Sequence, residues 1–365
     1  MKNDYCFWEN YLTLVKKEID NLCDNKDKLY IDLHIHSNYS ADGKQSVLEI
    51  IETTRDKGFD VIAITDHDTL DSYNELYEIV KDGITRPIII PGIEFTMDNF
   101  EYGNQCHILQ LFVNPKDDKI IVDVDKNCMA MFNRSKIQFK RLRENMTIRE
   151  IVKKKKIRFS YLEYVEYLKD NNLVPEYDTL CEYLMKKFKN VDVTTFDILD
   201  LLEKYNKDDC YKDRKEFKDR RYKKLREKYQ KCDENNYNVR FLLSMLAVRE
   251  VDDDWWDKPS SGSLSVNSFG QLKIDELNNK YPTYFAHPTG VKLDVVEKII
   301  DSKKSIIGLE ENIRNIDPRK EEFNKLLEKK NLIRIVGSDS HNSSCEYYND
   351  MLFYEIDSSD LRRIL

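Results

Sequence analysis

Two rhythms of apolar residues alternate along both ends of the chain. Short apolar runs such as "KLYIDLHIH" (28–36), "DVIAITDH" (60–67), "RPIIIPGIEFT" (86–96) and "QCHILQLFV" (105–113) predict strands. Between them, "SVLEIIETTRDKGF" (46–59) and "SYNELYEIVKD" (72–82) space apolar residues like amphipathic helices. The pattern resumes with strand "TYFAHP" (283–288), helix "VKLDVVEKIIDS" (291–302) and strand "SIIGLEEN" (305–312). Helix "PRKEEFNKLLEKKN" (318–331), strands "LIRIVGSDSH" (332–341) and "MLFYEI" (351–356), and a short helix complete it. Alternating strands and helices predict an α/β protein with a parallel sheet covered on both faces. Seven or eight such strands predict a barrel. Before the first strand, Trp8, Leu12, Val15, Ile19 and Leu22 form one helical stripe within residues 5–23. That stripe is expected to pack on its own domain, with docking to a partner as the alternative.

The middle of the chain has a different texture. All ten glycines lie at 43–103 or 262–337, and Pro175 is the only proline between Pro115 and Pro259. Breakers punctuate strand–helix architecture, whereas helices exclude them. The division is therefore an N-terminal helical extension (1–27), a first barrel part (28–115), a helical basic insertion (116–280) and a second barrel part (281–365). Within the insertion, residues 146–172 and 177–190 predict short helices and 213–231 a longer one. The clearest loop is "DDDWWDKPSSGSLSVNS" (252–268).

Charge sharpens this division. Residues 134–231 hold 28 Lys and Arg against 18 Asp and Glu, a net +10, which leaves −18 for the rest of a chain of net charge −8. An acidic body with a basic appendage suits a metal site beside a surface for a polyanion; the bland alternative is a set of solvated helix faces. No apolar run approaches the ~20 residues of a membrane span. The start "MKNDYCFWEN" lacks signal-peptide anatomy, so no membrane partner and a cytoplasmic address are expected. Eight scattered cysteines form no C-x-x-C pair and read as reduced thiols.

The six histidines carry the chemistry. His34 and His36 end the first strand on one face, His67 ends the second, and His287 and His341 close later strands. His107 is the exception, near the start of its strand. Strand ends at the C-terminal face gather reactive groups in a β/α barrel. Asp42, Asp66, Asp68, Glu94 and Asp339 lie among these histidines. Imidazoles mixed with carboxylates suit Zn, Mn or Fe. A lone histidine at a strand end is usually a satisfied polar residue; six beside carboxylates point to metal binding.

The segments "YIDLHIHSNYSADG", "FDVIAITDHDT", "IIPGIEFT", "YFAHP" and "IVGSDSH" together resemble the polymerase-and-histidinol-phosphatase (PHP) family of metal phosphoesterases. The resemblance covers about 28–115 and 281–341 and implies a distorted seven-stranded β/α barrel with a large helical insertion and three divalent metal ions. It implies a first ion on His34, His36, Glu94 and Asp339. A second would share Glu94 and add His107 and His287, and a third would take Asp42, His67 and His341. Glu94 would be the bridging carboxylate. Asp66 and Asp68 are candidates for orienting imidazoles or relaying protons, with capping of the helix near Asp71 as the alternative for Asp68. Metal ions lower the pKa of water towards ~7 and neutralise phosphate oxygens, so the implied reaction is hydrolysis of a phosphate ester by activated hydroxide.

The sequence departs from the nucleotide-phosphatase and exonuclease branch in two places. That branch carries an arginine just after "HP", whereas here "HPTGVK" offers Lys292 as the nearest cation. Its "RPH" element is replaced by "LVPEYDTLCEYLM". The expected substrate is a nucleotide or nucleic acid, captured by Lys154, Lys156, Arg221 and Lys224 of the insertion. Tyr161, Tyr164 and Tyr167 are spaced either for base stacking or, more simply, for a buried helix face. The alternatives are a small-molecule phosphatase of histidinol-phosphate type, and a subunit whose insertion or N-terminal helix docks a protein partner.

Overall fold

The computed structural model describes the chain except residues 1, 41, 100–103, 145, 159, 172, 176, 190–194, 207–219, 221–222, 225, 228–271, 289–290, 304, 313–319, 343–347 and 349–350. It divides into two compact units, Met1–Ala130 with Gly270–Leu365, and Met131–Phe269. Much of the segment expected as a long helix (213–231), and the whole loop at 252–268, lie outside the described residues. None of the described helices is long and apolar enough to cross a membrane.

The first unit is built on one sheet. Its described strands are β1 (Lys28–Ile35), β2 (Val61–Ile64), β3 (Ile88–Asn99), β4 (Asn104–Leu111), β5 (Thr283–Phe285), β6 (Ile306–Asn312), β7 (Ile333–Gly337) and β8 (Glu355–Asp357). Their order is β7-β6-β5-β4-β3-β2-β1-β8, eight strands where the apolar runs predict seven or eight and the resemblance implies seven. The extra one is a three-residue strand lying antiparallel on Lys28–Tyr30 of β1. Beyond it, the Asp339 N–H donates to the His34 carbonyl and the His36 N–H to the Ser340 carbonyl, both at 2.9 Å. Ile35 and Ser340 thereby form a parallel bridge that joins the β7 end of the sheet to β1.

The sheet is mixed, not parallel throughout. β1, β2 and β3 run parallel, as do β5, β6 and β7, but β4 is antiparallel to both its neighbours. Residues 100–103 are all that separates β3 from β4, too few for a crossover helix, so the chain must turn back on itself. This reversal explains His107: the start of β4 lies at the same rim as the ends of the parallel strands.

Helices cover the sheet as their apolar spacing predicts. α1 (Lys2–Asn25) buries Trp8, Leu12, Val15 and Ile19 in the same core as β1 and β2, and the Tyr11 hydroxyl donates to the Ile89 carbonyl at 3.0 Å. α2 (Val47–Asp56) starts at a capping box in which Ser46 and Glu49 satisfy each other's backbone N–H groups, and it buries Val47, Ile50 and Ile51. α3 (Ser72–Val80) follows β2, and α4 (Asp118–Glu144) follows β4.

The second unit has its own apolar core. Its helices after α4 include α5 (Met146–Lys155), α6 (Tyr161–Asp170), α7 (Tyr177–Lys189) and α8 (Thr195–Asn206). Phe139, Leu142, Ile148, Tyr164, Leu180, Tyr183 and Leu199 are buried together. Tyr161 and Tyr167 pack against them, so the tyrosine spacing serves a helix face.

The remaining first-unit helices are α9 (Leu293–Ser302), α10 (Lys320–Lys330) and α11 (Ser358–Arg362). "MLFY" at 351–354 is a 3-10 turn instead of the start of a strand.

Candidate metal centre

Main-chain pairing brings the site together. Past the end of β2, His67 pairs with Glu94 in a parallel bridge, and the Asp68 N–H donates to the Glu94 carbonyl at 3.0 Å. On the far side of β4, the Ala286 N–H donates to the His107 carbonyl at 3.0 Å, which sets His287 beside His107. The β1–β7 bridge sets Asp339 and His341 beside His34 and His36. The Asp42 loop folds tightly on the turn after β1: a side chain at Gly43 would place its Cβ 1.8 Å from the Ser37 carbonyl oxygen. Glycine is required there.

All six histidines and three carboxylates meet as a result. Around Glu94 Oε2 lie His34 Nε2 at 2.9 Å and His36 Nε2 at 3.1 Å, with Asp339 Oδ1 3.2 Å from His36 Nε2. Around Glu94 Oε1 lie His107 Nδ1 and His287 Nε2, each at 3.0 Å. Asp42 Oδ2 lies 2.6 Å from His341 Nε2 and 3.7 Å from His67 Nε2. Three donor groups result: His34, His36, Glu94 and Asp339; His36, Asp42, His67 and His341; and His67, Glu94 and His107, each with donor atoms within 4.8 Å of one another. His287 adjoins the last, its Nε2 3.1 Å from His107 Nδ1.

The chemistry of this set fits divalent cations. Ring nitrogens face ring nitrogens: His34 Nε2 and His36 Nε2 are 3.0 Å apart. His67 Nδ1 is buried, 3.3 Å from Glu94 Oε2, and makes no hydrogen bond. Burial outweighs the nearby carboxylates and pushes the His67 pKa down to about 3, so this ring stays neutral with a lone pair to offer. At His36 burial is overcome by Asp339 and Glu94, which lift its pKa to about 10; His34 is raised well above the usual range against burial by Glu310 and Glu94. Burial also opposes the charge on Glu94, yet His34 first and then His107 hold its carboxyl well below the usual range. Asp42 and Asp339 are lowered in the same way by the histidines around them. The carboxylates thus demand positive charge at their centre, and imidazoles mixed with carboxylates suit Zn, Mn or Fe.

Asp66 and Asp68 are placed differently from the expectation. Neither takes an imidazole as its hydrogen-bond partner. Asp66 accepts from the Ser37 N–H at 2.6 Å and the Ser37 hydroxyl at 2.8 Å, which fixes the turn after His36. Asp68 accepts from the Thr96 N–H at 3.2 Å and from Asn127 Nδ2 at 2.7 Å, and it caps no helix. Burial raises both carboxyls, Asp68 to about 6. Lys292 sits exposed at the N-terminal cap of α9. Lys154 and Lys156 are exposed at the end of α5, Lys224 is exposed, and Arg221 lies outside the described residues.

Three buried residues were missed. Glu310 on β6 lies 2.9 Å from His34 Nδ1 and accepts the His287 N–H at 2.6 Å. Asp32 accepts from the Ser338 N–H at 2.9 Å and the His34 N–H at 3.3 Å, clasping β1 to the end of β7. Asn127 on α4 donates to Asp68 and, at 2.9 Å, to the Thr96 carbonyl, and accepts the Leu272 N–H at 2.7 Å. For Asp32 the signal was available, since it shares the strand face of His34 and His36.

Comparison with known proteins places this arrangement. Over 85 residues the chain is 36% identical to phosphoribosyl 1,2-cyclic phosphate 1,2-diphosphodiesterase of Eggerthella lenta, covering 22% of this chain and 30% of that protein. The chain thus spans under a third of the length of that curated relative. Two solved structures share the fold at identities too low to carry more. One is a candidate metal-dependent phosphoesterase from Bifidobacterium adolescentis (TM-score 0.52, 17% identity, 92% of this chain and 95% of that one). The other is an amidohydrolase from Chromobacterium violaceum with bound sulfate and no metal (TM-score 0.50, 14% identity, 91% and 99%). The PHP domain family matches residues 32–239, more than half of the sequence and including His34, His36, His67, Glu94 and His107. This chain belongs to the PHP domain family.

Proposed function

We propose that this chain is a metal-dependent phosphoesterase that hydrolyses phosphate esters of nucleotides or nucleic acid. The observation that carries the reading is Glu94, fully buried, with one carboxylate oxygen facing His34 and His36 and the other facing His107 and His287. Divalent ions in such a cluster polarise phosphate oxygens and lower the pKa of water to about 7. In this reading three ions of Mn, Zn or Fe are held: one by His34, His36, Glu94 and Asp339, one by Glu94, His107 and His287, and one by Asp42, His67 and His341. Glu94 fixes the spacing of the first two. Asp66 and Asp68 hold the turns that carry His36 and His67, and so act on the reaction through those ligands. Lys292 offers a cation to the substrate phosphate, and the basic residues of the second unit capture a longer polyanion.

The test is metal analysis of the purified protein, followed by a screen of mononucleotides, bisphosphates and end-labelled RNA and DNA. Glu94→Ala should lose bound metal and nearly all turnover. Wild-type metal content and turnover in that variant would sink the reading.

A second reading is favoured by the stretch shared with the Eggerthella lenta enzyme, named for a small cyclic phosphodiester. A small sugar-phosphate diester would need no polyanion surface. Oligonucleotide binding with a steep salt dependence supports the first reading, and turnover of small diesters without oligonucleotide binding supports the second.

A further inference from the structure

Glu310 stands behind the cluster and touches it twice. It is 4% exposed, on β6, where Leu309 and Glu311 alternate with it. Its Oε1 lies 2.9 Å from His34 Nδ1, the ring nitrogen opposite the one that faces Glu94, His36 and Asp339. Its Oε2 accepts the His287 N–H at 2.6 Å. His287 has φ 23, a backbone conformation that a side-chain-bearing residue adopts only when held there. From that turn its Nε2 reaches Glu94 Oε1.

The neighbouring strand leaves room for this carboxylate. A Cβ at Gly337, on β7, would lie 2.2 Å from Glu310 Oε1 and 2.5 Å from the His34 Cβ. The absence of a side chain at 337 is what lets Glu310 and His34 meet.

We infer that Glu310 is a positioning residue that fixes the ring of His34 and the backbone of His287 at once. An ionised carboxylate only accepts hydrogen bonds, so it keeps a proton on His34 Nδ1 and leaves Nε2 to face the cluster. The same carboxylate holds the His287 turn, so one buried group sets ligands assigned to two different ions. This rests on the metal reading of the site. Partners of this kind typically change metal affinity by about 10–100-fold when lost.

Glu310→Gln is the diagnostic variant, because it keeps the volume but offers one acceptor for two donors. If its oxygen serves the His287 N–H, its amide group faces His34 Nδ1 and favours the wrong tautomer. If its oxygen serves His34, the amide group opposes the His287 N–H. The expected result is a folded protein whose metal affinity, measured by chelator competition, falls by about 10–100-fold. The visible spectrum of its cobalt-loaded form should also change, and Glu310→Asp, with two acceptors restored, should recover part of both. Wild-type affinity and cobalt spectrum in Glu310→Gln would overturn the inference. The second arm uses the metal-free protein and nitrogen-15 NMR of the histidine rings. His34 should carry a proton on Nδ1 in the wild type, with a resonance that moves in Glu310→Gln; an unmoved His34 would overturn the inference. If the wild type bound no metal the phosphoesterase reading would fail, and this arm would still decide the role of Glu310.

Discussion

Among the described residues, Asp68, His287 and Asp339 hold left-handed backbone conformations, with φ of 49, 23 and 52, in or beside the cluster. Each such residue costs about 1–3 kcal/mol and persists where its surroundings over-determine it. Here those surroundings are visible: Glu310 holds the His287 N–H, the His34 carbonyl holds the Asp339 N–H, and the Glu94 carbonyl holds the Asp68 N–H. Gly337 belongs to the same construction, and Gly337→Ala tests it. The added methyl must displace Glu310 or His34, overpacking that should cost about 1–3 kcal/mol in a urea melt of the metal-free protein. Metal content should fall as well. An unchanged midpoint and full metal content would mean that β6 and β7 can part without cost. The six histidines were legible as metal-site candidates because histidine is rare in this chain and five of them sit at or near the C-terminal end of a predicted strand, whereas Asp42, Glu94 and Asp339 were picked from the neighbouring carboxylates by the resemblance. Glu310 was not, because adjacent Glu310 and Glu311 look alike in sequence, and only the pleat decides which of them faces the cluster. Asp66 and Asp68 were legible as candidates for supporting the ligands beside them. Their partners, a backbone turn and an asparagine 59 residues away from Asp68, were not.

At the scale of elements, α1 shows how apolar spacing carries energetic weight. Trp8 is 1% exposed and stacks edge-on against Tyr11 and Tyr73, whereas Leu14 on the same helix is 41% exposed. Trp8→Ala should therefore cost about 3–5 kcal/mol in chemical denaturation, and Leu14→Ala well under about 1 kcal/mol. Equal, small effects would mean that α1 is an appendage free to dock elsewhere. Most elements were legible for this same reason, since period-2 and period-3.6 patterns report which face is buried. The direction of β4 was not, because periodicity is identical in a parallel and an antiparallel strand. What sets it is the short connection after β3, and the oddly early position of His107 was its only trace. β8 was legible but started too early: "MLFYEI" reads as one apolar run, and its first four residues form a 3-10 turn, which leaves the strand to Glu355–Asp357.

Over the whole molecule, acidic ligands and basic residues fall in different parts of the chain. Every residue of the proposed metal cluster belongs to the first unit, while Lys154, Lys156 and Lys224 are exposed in the second. The hypothesis is that the first unit performs hydrolysis and the second captures a polyanion. Reversing charge at Lys154, Lys156 and Lys224 to glutamate should then leave turnover of a small generic phosphodiester nearly unchanged, since no cluster residue is altered. Folding should hold too, because all three side chains are exposed and outside the core of Phe139, Tyr164 and Tyr183. Oligonucleotide affinity should weaken at any sequence, and the slope of log affinity against log salt should become shallower by about one unit per lost phosphate contact. The measurement is oligonucleotide binding across a salt series, run beside small-ester turnover. Unchanged affinity and slope would make these lysines a solvated face or a surface for a protein partner. A matching loss of small-ester turnover would make the second unit part of the reaction site itself, because neither polyanion capture nor an inert surface predicts an effect on a substrate that is not a polyanion.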